Sequence, residues 1–388
     1  MYNILKLNKI AEIGTSRLGD NYNCVDECDA PDAVLVRSAS MHDMELPESL
    51  LAIARAGAGV NNIPLDKCTE KGICVFNTPG ANANAVMELV IAGLFMGSRK
   101  LVEGIEWAKT LKGNGDQVLK MVEKGKSQFA GPEIKGKTIG VVGLGAIGIL
   151  VANAARALHM NVIGYDPYLS VNNALQLNRH VKCVNDIKEI FTESDYITVH
   201  VPLMDATRDT INAEAIEMMK DGVIILNYAR GGLVNNDAVK AGLASGKVKK
   251  YVVDFPDAET INQPGIIAIP HLGASTEESE DNCAVMAAQE IKDYLENGNI
   301  INSVNFPSCD MGVCQAAGRI TILHRNIPNS LGRFTAAIAG DNVNIDGLMN
   351  KSRGEYAYTM LDIDQHPSQE VAEHLKQIEG VLRVRVIK

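Results

Sequence analysis

The sequence predicts an α/β protein: two doubly wound parallel-sheet domains and a C-terminal ferredoxin-like βαββαβ unit. Three observations carry that prediction. Short β-rich runs alternate with helical patterns through residue 280, as in parallel sheets crossed by helices. A Gly-x-Gly-x-x-Gly run at 143–148 follows an apolar strand and opens an apolar helix. The last stretch of chain reads strand, helix, strand, strand, helix, strand.

The early strands are "AVLVRS" (33–38), "LAIARAG" (51–57) and "CVFNTP" (74–79). The helix "NAVMELVIAGLFMGSR" (84–99) follows, with Asn82 or Asn84 as its cap. Residues 103–136 are polar and Lys-rich, carry the single Trp107, and read as helix and loop on the outside of a nucleotide domain. From 138 the strands are "TIGVVGLG", "NVIGYD", "YITVHVPL", "GVIILNYAR", "KKYVVDF" and "GIIAIPH", and the helix 277–298 follows them. Residues 303–318 lack periodicity and read as a linker. The tail then gives "RITILHRN", a helix over 330–342, "VNIDGLMN", "YAYTMLDID", a helix from 368 and "VLRVRVI". The expected division is 1–97 with 281–302, then 98–280, the linker, and 319–388.

A net charge of -10 and a pI near 5.4 argue against nucleic acid or an anionic membrane as partner. An anionic substrate would need a local basic cluster. The apolar run "AVMELVIAGLFMG" carries Glu88 and is too short to span a bilayer. "MYNILKLNKI" lacks the layout of a secretory leader, so a cytoplasmic location is expected. The eight cysteines form no Cys-x-x-Cys pair and no histidine stands at zinc spacing, so free thiols and no metal are expected.

In the glycine run, Gly143 permits the tight turn and Gly145 lets backbone approach a pyrophosphate. Gly148 lets helix and strand pack closely. The helix start at Ala146 and Ile147 offers free N–H groups and partial positive charge to that anion. Asp166 stands 18 residues past Gly148, at the tip of the next strand. Its carboxylate would accept bonds from a ribose diol and repel a 2′-phosphate, so NAD is preferred over NADP.

Hydride transfer from an alcohol needs a base for the hydroxyl proton and a cation to hold the substrate. Arg230, Glu259 and His271 all follow predicted strands, where ligands of open α/β sheets bind. Of these, histidine titrates nearest neutrality. The runs "GLGAIG", "YDP", "HVPL", "NYARGG", "DFPDAE" and "PHLGAST" together resemble the NAD-dependent D-2-hydroxyacid dehydrogenases, over roughly residues 30–300. The resemblance implies that Arg230 binds the substrate carboxylate and carbonyl, that His271 is the acid/base, and that Glu259 pairs with it. It implies further cofactor contacts at Pro202, Thr207, Ala229, Asp254 and Gly273. One departure stands out: many members read Asp-Val-Phe-x-x-Glu-Pro where this chain has "DFPDAET".

Arg37 and Arg55 end successive strands of the first domain, and two extra arginines suit a second anion such as a phosphate. Backbone N–H groups near Gly59 and Val60 would receive a carboxylate. These runs, with Asn82 in "FNTPGANANAV", resemble the phosphoglycerate-oxidising branch of the family, with Lys126 a looser match for a cation lent by a partner subunit. Another D-2-hydroxyacid, an erythronate 4-phosphate substrate, and an NAD-sensing binding protein remain as alternatives. The tail resembles an ACT regulatory domain, which implies a serine effector on His324, Asn326 and Asn344. Asn329 stands where such domains often carry Gly. A homodimer or homotetramer is expected.

Overall fold

The computed structural model describes residues 1–340 and 343–388. The first sheet contains β1 (Tyr2–Leu7), β2 (Tyr22–Val25), β3 (Ala33–Val36), β4 (Ala52–Arg55) and β5 (Cys74–Asn77). It is parallel throughout, in the order β2-β1-β3-β4-β5. All four residues of β3 and three of β4 are buried, because helices cover both faces of such a sheet. β1 and β2 lie outside the strands read from sequence. "YNILKL" buries only Ile4 and Leu5 and "YNCV" only Tyr22, so neither shows a strand's apolar run.

The second sheet contains β6 (Thr138–Val142), β7 (Asn161–Tyr165), β8 (Lys182–Val184), β9 (Tyr196–Val199), β10 (Val223–Asn227), β11 (Val248–Val253) and β12 (Ile266–Ala268). Its order is β12-β11-β10-β9-β6-β7-β8, again all parallel. The chain reverses its direction of winding between β6 and β9, the switch point at which such sheets bind ligands. The third sheet is antiparallel: β13 (Gly318–Arg325), β14 (Ile345–Arg353), β15 (Tyr356–Ile363) and β16 (Val381–Val386), in the order β14-β15-β13-β16. Helices Ser330–Gly340 and Gln369–Lys376 supply Phe334, Ile338 and Leu375 to a core with Ile320, Ile322 and Leu361. The last two positions of the helix expected over 330–342 lie outside the described residues.

The chain forms two compact units, residues 1–82 with 277–388, and residues 83–276. The expected boundaries at 97 and 280 therefore shift to 82 and 276. The reason is helix Ala83–Ser98, whose glycines press it onto β10. A Cβ at Gly93 would stand 1.9 Å from the Tyr228 hydroxyl, and one at Gly97 would stand 2.9 Å from Ile224. The segment 303–318 is not free chain either: Phe306 and Cys309 are buried in the core of the first unit.

Arginines of the third sheet fasten it to helix Glu277–Asn297 of the same unit. Arg319 is fully buried and pairs with both oxygens of Asp362, at 2.5 and 2.8 Å. It also donates to the carbonyls of Asn297 and Gly312. Arg385 donates to the carbonyls of Tyr294 and Leu295 and lies 4.4 Å from the Tyr294 ring centroid. The Tyr358 hydroxyl donates to the carbonyl of Gly298 at 2.6 Å. Orphan carbonyls at a helix C-terminus are thus met by cations, which the helix dipole favours there.

Glu290 is buried in the middle of that helix. Asn302 donates to its Oε1 at 2.8 Å, and its Oε2 has no partner among the described residues. Burial pushes its carboxyl up to about 8. The folded state therefore binds a proton that the unfolded state has released, and stability falls as pH rises from the ordinary carboxyl range through about 8. Glu290→Gln keeps the bond from Asn302 and cannot ionise. Its melting temperature is expected to exceed the parent's by several degrees at pH 8 and to match it at pH 5. An offset that does not change with pH would show that Glu290 does not titrate in the fold.

Candidate active site

The carboxyl edge of the second sheet carries the candidates of the 83–276 unit other than Lys126. Gly143 follows β6 with φ +94°, and a Cβ there would lie 2.9 Å from the His200 carbonyl. Its N–H donates to the Tyr165 carbonyl at 2.8 Å. Gly145 precedes helix Ala146–Ala157 as its cap and makes no side-chain bond, and a methyl at this position would meet nothing within 4 Å. A Cβ at Gly148 would stand 1.9 Å from the Gly143 carbonyl oxygen. The two outer glycines are thus required by the fold, while Gly145 leaves open space over a helix N-terminus. Asp166 accepts from the Leu144 and Tyr168 N–H groups, both at 2.8 Å, which fixes its carboxylate with lone pairs to spare for hydroxyl donors. Open space, first-turn N–H groups at Ala146 and Ile147, and a fixed carboxylate fit a dinucleotide.

After β9, the Thr207 hydroxyl donates to the Pro202 carbonyl at 2.5 Å and accepts from the Met204 N–H, pinning that loop. His200 Nε2 lies 2.9 Å from Thr198 Oγ1, and its Nδ1 is sealed from solvent without a partner among the described residues. Desolvation lowers this imidazole to about 3, so it stays neutral and cannot be the base.

After β10, Asn227 staples the Arg230 turn. Its Nδ2 donates to the Arg230 carbonyl at 2.9 Å and its Oδ1 accepts from the Ala229 N–H at 3.2 Å. The Arg230 guanidinium is exposed and donates to the Ala229 carbonyl at 2.7 Å. Asp254, 1% exposed, follows β11. Its two oxygens accept from the Leu272 and Gly273 N–H groups, each at 2.8 Å. Burial raises its carboxyl, and those two bonds and the nearby His271 oppose the rise. His271 stands just beyond β12, exposed, with φ +53°. Its ring packs on Phe255, centroids 4.6 Å apart, and the Arg230 guanidinium carbon lies 5.8 Å from the same ring centroid.

The structure adds two contacts to the sequence expectations here. Gly273 is buried against Asp254: a Cβ would lie 2.9 Å from Oδ2, so its smallness serves that carboxylate. Glu259 is exposed and bound by Lys240 Nζ at 2.9 Å, and among the described residues no hydrogen bond joins it to His271. Asn227, Lys240 and Phe255 were not read from the sequence. Only Asn227, a polar residue ending an apolar strand, carried a usable signal.

In the other unit, Arg55 Nε donates to the Arg37 carbonyl at 3.0 Å, which brings the two arginines together. Arg37 also pairs with Glu280 at 2.6 Å, a partner the sequence reading missed. Gly57 has φ +150°, and a Cβ there would meet the Arg55 guanidinium at 2.0 Å. Gly59 and Val60 follow in a partly buried loop held by Asn77, whose Nδ2 donates to the Ala58 carbonyl at 2.6 Å. Asn82 ends this segment, partly buried in a turn. In the tail, His324 is buried with both ring nitrogens engaged, at the Arg325 carbonyl and the Thr359 hydroxyl. Asn326 is exposed and donates to Gly354. Asn344 precedes β14 at the Ile363 end of the sheet, whereas His324 faces Ala357 at the other, so one chain does not unite the three. Asn329 takes φ +63°, the left-handed conformation glycine would adopt freely. Lys126, in the 83–276 unit, pairs with Glu123 on the surface.

A parallel sheet with an anion-ready glycine turn at its switch point defines a dinucleotide-binding α/β protein. Residues 92–273 match the NAD binding domain of the D-isomer specific 2-hydroxyacid dehydrogenases. The chain is 36% identical to the D-3-phosphoglycerate dehydrogenase of Methanocaldococcus jannaschii, over 72% of this chain and 53% of that protein. It therefore spans about half of that relative's length. It is 32% identical to the D-3-phosphoglycerate dehydrogenase of Mycobacterium leprae, over 88% of this chain and 68% of that protein. The structure of NAD+-bound 3-phosphoglycerate dehydrogenase from Entamoeba histolytica superposes with a TM-score of 0.58 at 26% identity, covering 78% of this chain and 98% of that one. The chain belongs to the D-isomer-specific 2-hydroxyacid dehydrogenase family, a family of NAD-dependent oxidoreductases.

Gly145→Ala and Gly148→Ala separate the ligand's needs from the fold's. Gly145→Ala is expected to keep the melting temperature and to weaken NAD at least about tenfold by calorimetric titration. Gly148→Ala is expected to lower both. Undiminished NAD affinity in Gly145→Ala would mean that this loop does not cradle the pyrophosphate.

Proposed function

We propose that the protein oxidises D-3-phosphoglycerate to 3-phosphohydroxypyruvate with NAD, the opening reaction of serine synthesis. The observation that carries this is the pinned loop of His271 beside Arg230, on the sheet edge that bears the dinucleotide turn. NAD, when bound, accepts the hydride from C2. Arg230 holds the substrate carboxylate and polarises its oxygen, and His271 takes the hydroxyl proton. Glu259 would steady the imidazolium once it leaves Lys240. Support for a phosphorylated substrate comes from the adjoining Arg37 and Arg55 and from the names of the relatives.

The βαββαβ tail suits an ACT-type regulatory unit with serine as effector. A site drawing on His324, Asn326 and Asn344 would need two chains, since one chain holds them at opposite sheet ends. Helices Leu101–Thr110 and Val118–Gly125 leave Ile105, Leu119 and Met121 exposed, which supports a homodimer or homotetramer.

The test is NADH formation from NAD and D-3-phosphoglycerate at alkaline pH, with and without serine. His271→Ala is expected to lower kcat about 100-fold or more. A mutant with full turnover sinks the assigned base. NADH from a different 2-hydroxyacid alone would move the substrate, and none from any would leave a binding protein. In a second test, Glu280→Gln is expected to lower KM for the phosphorylated substrate about threefold, because the anion no longer competes with a carboxylate for Arg37. The KM of an unphosphorylated 2-hydroxyacid should not move. Equal shifts for both would place Arg37 away from the phosphate.

A further inference from the structure

We propose that Phe255 is a positioning residue, an aromatic platform that holds the guanidinium of Arg230 and the imidazole of His271 in register with each other. The proposal rests on the dehydrogenase reading above and deepens it.

The ring is shared. Its centroid lies 4.6 Å from that of the His271 ring, tilted by 48°, and 5.8 Å from the guanidinium carbon of Arg230. Among the described residues nothing else joins the two groups. Arg230 Nη1 bonds the carbonyl of its own neighbour, Ala229, and no carboxylate among the described residues pairs with the guanidinium. Glu259 is held by Lys240. The backbone beneath the ring is fixed on both sides. The Asp254 N–H donates to the Asn227 carbonyl at 3.0 Å, and Pro256 restricts Phe255 to extended conformations. Gly231 leaves room alongside, with a Cβ there 3.9 Å from the Phe255 Cβ.

An aromatic ring suits this place better than an acid. A carboxylate would hold Arg230 but neutralise it and compete with the substrate's own carboxylate. A ring face holds a cation through its quadrupole and uses none of the guanidinium N–H groups, so those not bonded to Ala229 stay available. The same ring packs against His271, tilted by 48°, and such an uncharged contact persists whether the imidazole is neutral or has taken the proton. Phe255 touches neither proton nor hydride. It sets where the two groups that do so stand, and small misplacements of such groups cost large factors in rate.

The test compares wild type, Phe255→Leu and Phe255→Tyr as full-length protein, using whichever 2-hydroxyacid the wild type oxidises. Phe255→Leu is expected to lower kcat about tenfold and raise KM about threefold, since it loosens both the base and the carboxylate clamp. NAD affinity should stay within about twofold, and melting temperature should change little. Phe255→Tyr keeps the ring face and should restore both constants to within about twofold. A second readout needs no turnover: the His271 ring protons should carry a ring-current shift from Phe255, and should lose that shift in Phe255→Leu alone. Unchanged kcat and KM in Phe255→Leu, or Phe255→Tyr as impaired as Phe255→Leu, overturns the proposal. So does a loss of rate matched by a loss of NAD-competent protein with KM unchanged, which is a stability effect. A wild type that oxidises no 2-hydroxyacid at all refutes the dehydrogenase reading before any variant is compared, and the platform role falls with it.

Discussion

The carboxyl edge of the second sheet depends on one buried carboxylate, that of Asp254. Removing a charge from water is costly, and only strong hydrogen bonds offset it. Asp254 has two from consecutive backbone N–H groups, Leu272 and Gly273, at equal length. Those bonds reach across from the end of β11 to the loop after β12. They hold His271 at a positive φ, a conformation that a residue with a side chain adopts only when its surroundings enforce it. Gly273 follows from the same constraint, because a methyl there would collide with the carboxylate. The motif Pro-His-Leu-Gly is therefore two devices in one: a histidine presented to the open edge, and a backbone bent tightly enough for one acid to hold it.

Asparagines do the same for the arginine loops. Asn8 accepts from the Ser38 and Ala39 N–H groups, which fixes the turn beyond Arg37. Asn77 holds the carbonyl of Ala58 just after Arg55. Asn227 bonds both sides of the Arg230 turn. A primary amide offers a donor and an acceptor at one site, so it can close a turn in either direction without adding charge. Lysine or aspartate in these places would repel the neighbouring guanidinium or pair with it. Each asparagine holds its loop without adding a charge of its own beside the arginine.

The parts of this arrangement legible in the sequence are those set by local backbone chemistry. The glycine turn at 143–148, Asp166, and the regular strand alternation each follow from steric or periodic rules that act within a few residues. What was illegible depends on contacts distant in sequence. Phe255 reads as an ordinary strand-end aromatic until His271 and Arg230 are brought to it. Lys240 reads as an exposed helix lysine until its ion pair with Glu259 is seen. The unit boundary at 82 could not be read from composition, because it depends on whether the apolar helix Ala83–Ser98 packs on one sheet or another. The glycine spacing that decides it, Gly93 against Tyr228 and Gly97 against Ile224, acquires meaning only from the strand beneath. For the tail's His324, proposed as an effector contact from the ACT resemblance, the fold engages both ring nitrogens within one chain, a contact sequence could not show.

An acidic chain that is to receive an anion, as proposed above, must concentrate its positive charge, and the first unit places two arginines together. Arg37 and Arg55 stand at the ends of adjacent strands, and the Arg55 side chain bonds the Arg37 backbone carbonyl, which tethers it beside that turn. Without a counter-ion, two such charges would repel each other. Glu280 relieves part of that repulsion by pairing with Arg37, and it does so from the first turn of helix Glu277–Asn297, where an acidic side chain is also favoured by the helix dipole. Both partners are well exposed, so the pair is weak enough to yield to a better anion. The far end of the same helix is capped by Arg319 and Arg385, which fixes its C-terminal turn to the third sheet. Glu280 thus acts as a resident counter-ion mounted on a rigid rod. Its pairing with Arg37 is solvent-exposed and so open to exchange with another anion.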